Sequence, residues 1–154
     1  MNSILQNKKT FHILLIESID KDIFFMELAL IKLDFEYTLK IVEDGDKAIN
    51  YLKDKENFEY PDLIFLDLKL PGKDGIEVLK ELKLDNELRS IPVIILASSY
   101  NKEDISIVYN NYAASYIVKP EYFDKFSLII KQVKNYWFDM VSLPNYNYKV
   151  INNH

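Results

Sequence analysis

The sequence predicts an α/β protein with a doubly wound parallel sheet and helices on both of its faces. Two observations carry this. Short apolar runs and helix-period segments alternate five times along the chain, the pattern of a parallel sheet built from crossover helices. The strongest runs, ILLI within His12–Glu17, LIFL and PVIILA, are continuous apolar runs instead of alternating, as strands covered on both faces are. Right-handed crossovers are expected.

Each element has its own signal. Residues 1–10 are polar and expected to be loose. His12–Glu17 is a buried-strand run that ends in an acid. Ser18 or Asp20 can cap the helix that follows, in which Ile23, Met26, Leu30 and Leu33 form a helical stripe. Tyr37–Val42 is less apolar and alternates, so it belongs nearer a sheet edge. Asp44-Gly45 reads as a turn before a helix over 46–53, with Ala48, Ile49 and Leu52 at helical spacing.

The third strand ends at Asp67. The loop after it holds Pro71, Gly72, Asp74 and Gly75, with Gly75 expected to supply a positive φ before a helix over 76–84. Pro92–Ala97 is the fourth strand. Ser98, Ser99 and Asn101 are cap candidates for a helix to about Asn110. Ala114–Val118 is the fifth strand, followed by Lys119-Pro120, where a cis bond is a candidate feature. A long helix over 122–139 closes the fold, with Phe126, Ile129, Ile130, Val133, Trp137 and Met140 as its apolar positions.

Composition narrows the class. The 154 residues are enough for one domain with a proper core. Apolar residues make up 49% of them, which argues against disorder. A net charge of -5 argues against non-specific nucleic-acid binding. The absence of cysteine excludes disulfides and thiolate zinc sites. No apolar run approaches membrane-spanning length and no secretory leader pattern opens the chain, so a cytoplasmic protein without a membrane partner is expected.

In such a sheet every strand carboxyl end lies on one edge, where open α/β proteins place their reactive groups. That edge collects Glu17, Ser18, Asp67, Ala97, Ser98 and Lys119. An acid at one strand end is readily explained as a loop cap. Two acids and a lysine at the ends of three different buried strands point to a site.

These residues resemble the marks of the response-regulator receiver domain, the phosphoacceptor module of two-component signalling. The family's marks are an acid pair after strand 1, an Asp ending strand 3, a Thr or Ser ending strand 4, and Lys-Pro after strand 5. Here those places hold Glu17-Ser18, Asp67, Ala97 and Lys119-Pro120. Pro71, Asp74 and Gly75 match the loop after the phosphorylated Asp, and Tyr116 matches an aromatic switch position. The resemblance covers residues 11–140, leaving 1–10 as a flexible N-terminus and 141–154 as a tail. The segments DGDKAINYL and LDLKLPGKDG, and an aromatic tail near Leu143-Pro144, are similar to the single-domain regulators that partner bacterial phytochrome-type kinases.

The resemblance implies a flavodoxin-like fold with strand order 2-1-3-4-5. It implies that Asp67 accepts a phosphoryl group from a sensor histidine kinase or histidine phosphotransfer protein, with Lys119 beside it. It implies Mg²⁺ held by Glu17, Asp67 and the backbone carbonyl of Lys69, and switching through Ala97, Ser98 and Tyr116. Two positions depart from the pattern. Ser18 replaces the acid that usually touches the metal, which predicts weak Mg²⁺ binding. Ala97 replaces a hydroxyl whose hydrogen bond to a charged phosphoryl group is worth about 1.5–3 kcal/mol, which predicts weakened switching through Tyr116.

The alternative is a degenerate receiver that acts as a phosphate-independent interaction module, and Ser18 and Ala97 favour it. The chain is not expected to be an enzyme. A phosphatase of the haloacid-dehalogenase type needs a second Asp two residues after the first, where this chain has Lys69. A nucleotide or flavin binder needs a Gly-rich phosphate loop, and only three glycines are present. The residues after about 140 are too few for a DNA-binding domain, so output by protein–protein contact or by onward phosphate relay is expected. The stripe ending at Trp137, with Tyr146, Tyr148 and Val150 beyond it, suggests a homodimer along the last helix and strand 5. His12 and His154 show no partner for metal or acid–base work.

Overall fold

The computed structural model describes residues 9–54, 56 and 59–144. Five parallel strands, β1 (Phe11–Ile16), β2 (Tyr37–Val42), β3 (Leu63–Asp67), β4 (Val93–Ala97) and β5 (Ser115–Val118), lie in the order β2-β1-β3-β4-β5. Helices α1 (Asp20–Ile31), α2 (Gly45–Lys53), α3 (Gly75–Leu84), α4 (Lys102–Asn110) and α5 (Phe123–Lys134) join or follow them. The expected doubly wound sheet is present.

The period of the strands decides which helix covers which face. Side chains alternate across a strand, and the three central strands are apolar on both faces except at His12 in β1 and Asp67 at the end of β3. Leu14, Ile16, Ile64, Leu66, Val93 and Ile95 therefore pack with α2, α3 and α4 in one core. Ile13, Leu15, Leu63, Phe65, Ile94 and Leu96 pack with α1 and α5 in the other. The outer strands β2 and β5 are only partly covered. Connections from β1 and β3, which are neighbours, leave toward opposite faces, and the cleft of such a sheet opens there.

The starts of the helices are set by short polar side chains. Asp44, Asp74 and Asn101 cap α2, α3 and α4 by accepting from the amides of Lys47, Glu77 and Asp104 at 3.1, 2.9 and 3.0 Å. The turn expected at Asp44-Gly45 is this cap, with Gly45 already helical. Neither Ser18 nor Asp20 caps α1: its N-cap is Ile19, with no side-chain bond.

Gly75 does not take the positive φ expected of it. The glycine with positive φ is Gly72, at 69°. Gly75 is the first residue of α3, and a Cβ there would stand 2.3 Å from the carbonyl oxygen of Asp67. Close approach, not backbone hand, requires glycine. It lets α3 begin directly behind the strand end that carries Asp67.

The long last helix changes winding. After α5 the chain takes a π-helical turn, Asn135–Met140. With i→i+5 spacing, Phe138 replaces Met140 as the core residue. Phe138 stacks on Phe11 with ring centroids 4.3 Å apart, whereas Met140 is exposed. No peptide bond among the described residues is cis, so Lys119–Pro120 is trans. His12 does have partners: Glu59 at 2.7 Å and the Thr38 hydroxyl at 2.7 Å. They lie at the amino end of β1, away from the strand-end edge. Residues 1–8, Tyr146, Tyr148, Val150 and His154 lie outside the described residues.

Candidate functional site

The carboxyl ends of β1, β3 and β5 bring Glu17, Asp67 and Lys119 together. Register explains the meeting. Asp67 closes β3 opposite Leu96 of β4, and Ile16, the residue before Glu17, lies opposite Leu66. The Lys119 amide donates to the Ala97 carbonyl at 2.7 Å, which fixes where the lysine leaves the sheet. All three groups are shielded from water: Glu17 is 1% exposed, Asp67 2%, and the Lys119 side chain 6%.

The ammonium of Lys119 donates to Glu17 Oε1 at 2.9 Å and to Asp22 Oδ2 at 2.8 Å. It stands 3.5 Å from Asp67 Oδ2, close enough for an ion pair. Glu17 Oε2 accepts from the amides of Ser18 and Ile19 at 3.0 and 3.4 Å. Asp67 Oδ1 accepts from the Lys69 amide at 3.4 Å. Asp67 Oδ2 is buried without a hydrogen-bond donor among the described residues.

The electrostatics follow from crowding. Burial pushes the Glu17 carboxyl up to about 7, helped by hydrogen bonding and repulsion from Asp67 and opposed by Lys119. Burial alone would lower the Lys119 ammonium, but its bonds to Asp22 and Glu17 outweigh that and raise it. Three carboxylates surround one ammonium, so the fully ionised pocket is short of positive charge.

A hard divalent cation fits this set in a limited way. Among the described residues no group of three or more His, Cys, Asp or Glu side chains closes on one point. Glu17 and Asp67 nevertheless offer two carboxylates, one of them with a buried, unpartnered oxygen. Mg²⁺ binds in this manner, through one or two carboxylates plus water and phosphate oxygens.

The remaining expected residues line the rim. Lys69, Ala97, Ser98 and Tyr116 border a cleft of ≈40 Å³ next to Asp67. Ala97 is buried and offers no hydroxyl, while Ser98 is exposed. The Tyr116 hydroxyl donates to the Ser99 carbonyl at 2.7 Å. Burial, then the charge of Asp104, raises its pKa. The residue that strand ends did not reveal is Asp22, which reaches the site from the first turn of α1.

A match over residues 13–141 to the family model for the response regulator receiver domain decides the class. The chain belongs to the response regulator receiver family. Similar receivers include the probable methanogenesis regulatory protein FilR2 of Methanothrix harundinacea, 33% identical over 87% of this chain and 88% of that one. Response regulator Rcp1 of Synechocystis is 33% identical over 86% of this chain and 92% of its own. The Mn²⁺-bound crystal structure of Rcp1 matches with a TM-score of 0.82 over 88% of this chain and 99% of that one. The phosphorylated cyanobacterial phytochrome response regulator RcpA matches with a TM-score of 0.85 and 36% identity, over 89% of this chain and all of that one.

Proposed function

We propose that this receiver accepts a phosphoryl group on Asp67 from the phosphohistidine of a sensor histidine kinase or a histidine phosphotransfer protein. The observation that carries the proposal is the buried, donor-free Asp67 Oδ2 held 3.5 Å from the Lys119 ammonium at the sheet's switch point. In the transfer, Asp67 Oδ2 forms the new bond to phosphorus as the bond from phosphorus to the histidine nitrogen breaks. The imidazole leaves and takes up a proton. Such transfer needs positioning and charge compensation more than covalent chemistry from the protein.

Lys119 supplies a point charge to a phosphoryl oxygen. Glu17 and Asp67, with the Lys69 carbonyl as a third oxygen, are the residues proposed to hold Mg²⁺, in keeping with the Mn²⁺-bound form of Rcp1. The ion, when bound, offsets negative charge on the phosphoryl oxygens. Ser18 gives only a neutral hydroxyl beside that position, so affinity for the ion is weak.

Labelling with acetyl phosphate and Mg²⁺ tests this. Wild type labels, Asp67→Asn does not, and Ser18→Asp labels faster than wild type. Equal rates for wild type and Ser18→Asp would show that Ser18 does not limit the reaction.

A second reading, phosphate-independent recognition, is favoured by one observation: Ala97 leaves no hydroxyl between the phosphoryl position and Tyr116. Ser98 is exposed at the rim and takes that role only if its loop shifts. On either reading the protein works in the cytoplasm by protein contact and without nucleic-acid or membrane partners. Its proposed homodimer uses the β5 edge and α5, where Ile117, Val133, Tyr136 and Trp137 line an open groove. Light scattering that shows a monomer at high concentration would contradict that assembly.

A further inference from the structure

Lys119 lies among three carboxylates but, among the described residues, hydrogen-bonds to only two, Glu17 and Asp22. The third, Asp67, keeps a buried oxygen without a donor. Such an oxygen is costly to leave unpaired. A shift of the ammonium by a fraction of an ångström would satisfy it, because 3.5 Å is only slightly longer than a hydrogen bond. Something holds the lysine back.

Asp22 is placed to do so. It sits in the first turn of α1, beside Ile23, which is buried against the sheet together with Met26. Its carboxylate therefore rides on a packed helix and not on a loop. Its bond to Lys119, at 2.8 Å, is the shortest the ammonium makes among the described residues. The carboxylate side chain is 13% exposed, so water screens the pair little.

We propose that Asp22 is a positioning residue that draws the Lys119 ammonium toward α1 and so keeps Asp67 Oδ2 open to a cation and to phosphorus. The proposal rests on the receiver reading for its purpose, but the placement it describes exists without any ligand. Removing the charge of Asp22 frees the ammonium to close on Asp67 Oδ2. The oxygen is then engaged before a cation arrives, and the pocket carries one negative charge fewer. Both effects weaken Mg²⁺ binding.

The test compares wild type, Asp22→Asn, Asp22→Ala, Lys119→Met and Asp22→Asn/Lys119→Met, with thermal unfolding as the check on folding. In metal-free crystals of Asp22→Asn the Lys119 ammonium is expected within hydrogen-bond distance of Asp67 Oδ2. Asp22→Ala, which leaves no oxygen to hold the ammonium, must shift it at least as far. Calorimetry should show Mg²⁺ binding about tenfold weaker in Asp22→Asn, the scale of losing a residue that orients a metal site. In the Lys119→Met background only the loss of charge remains, so Asp22→Asn should weaken Mg²⁺ binding clearly less than it does when Lys119 is present.

An unmoved lysine in both Asp22 variants overturns the proposal, as does a moved lysine with unchanged Mg²⁺ affinity. Equal weakening with and without Lys119 overturns it too, because Asp22 would then act only as a negative charge at a distance. Wild type that binds no Mg²⁺ through Asp67 contradicts the phosphoacceptor reading instead. The metal-free crystals still decide where Asp22 holds Lys119.

Discussion

At the scale of single residues, the pocket is defined as much by what it lacks as by what it holds. Ala97 is buried beside Asp67 with a methyl where a hydroxyl would reach a phosphoryl group. Ala97→Thr should tighten binding of a phosphate mimic such as beryllofluoride by about tenfold or more, the equivalent of one hydrogen bond to a charged acceptor. Titration of the two proteins checks this, and equal affinities would mean that Ser98 already supplies the bond. Glu17, Asp67 and Lys119 were legible in the sequence because each ends a buried strand, and all such ends share one edge. Asp22 was not. It follows the cap position of a helix and precedes core-facing Ile23, so the sequence pattern shows only a first-turn acid. Just the three-dimensional crossing of α1 near the end of β5 makes it a partner of Lys119.

At the scale of elements, the loop that carries the site is pinned to the helices behind it. Lys73, in the loop after β3, and Lys53, at the end of α2, both bond Glu81 of α3. The two lysines hold the Glu81 carboxyl below the usual carboxylate range, with burial opposing them. A lowered folded-state pKa means that the stabilisation is present above the unfolded value of 4.5 and is lost as pH falls through the folded value. Glu81→Gln should therefore lower stability near neutral pH and converge with wild type in acid. The side chain is 30% exposed, and the effect should stay under about 1 kcal/mol. Thermal melts across that range check it. The last helix shows where reading by period fails. A regular 3.6-residue repeat selects Met140, and the π turn delivers Phe138 onto Phe11 instead. Phe138→Ala should cost about 3 kcal/mol in urea unfolding, whereas Met140→Ala should cost almost nothing. The type and order of the elements were plain from alternation. The winding of one turn was not, because no local residue choice announces it.

At the scale of the molecule, two apolar cores sandwich a sheet whose three central strands are buried on both faces. That rigid frame holds a buried acid next to a lysine while leaving a narrow opening above them. The flavodoxin-like order of strands follows the family, and the sequence shows it only through resemblance, because alternation fixes parallelism but not which strands are neighbours. In the proposed function this frame serves Asp67 as a phosphoacceptor. That role is tested most directly by mass spectrometry of the protein after incubation with acetyl phosphate and Mg²⁺. One added phosphoryl group is expected, mapped to Asp67 and absent from Asp67→Asn. An unmodified wild type, or the same label on Asp67→Asn, would contradict it.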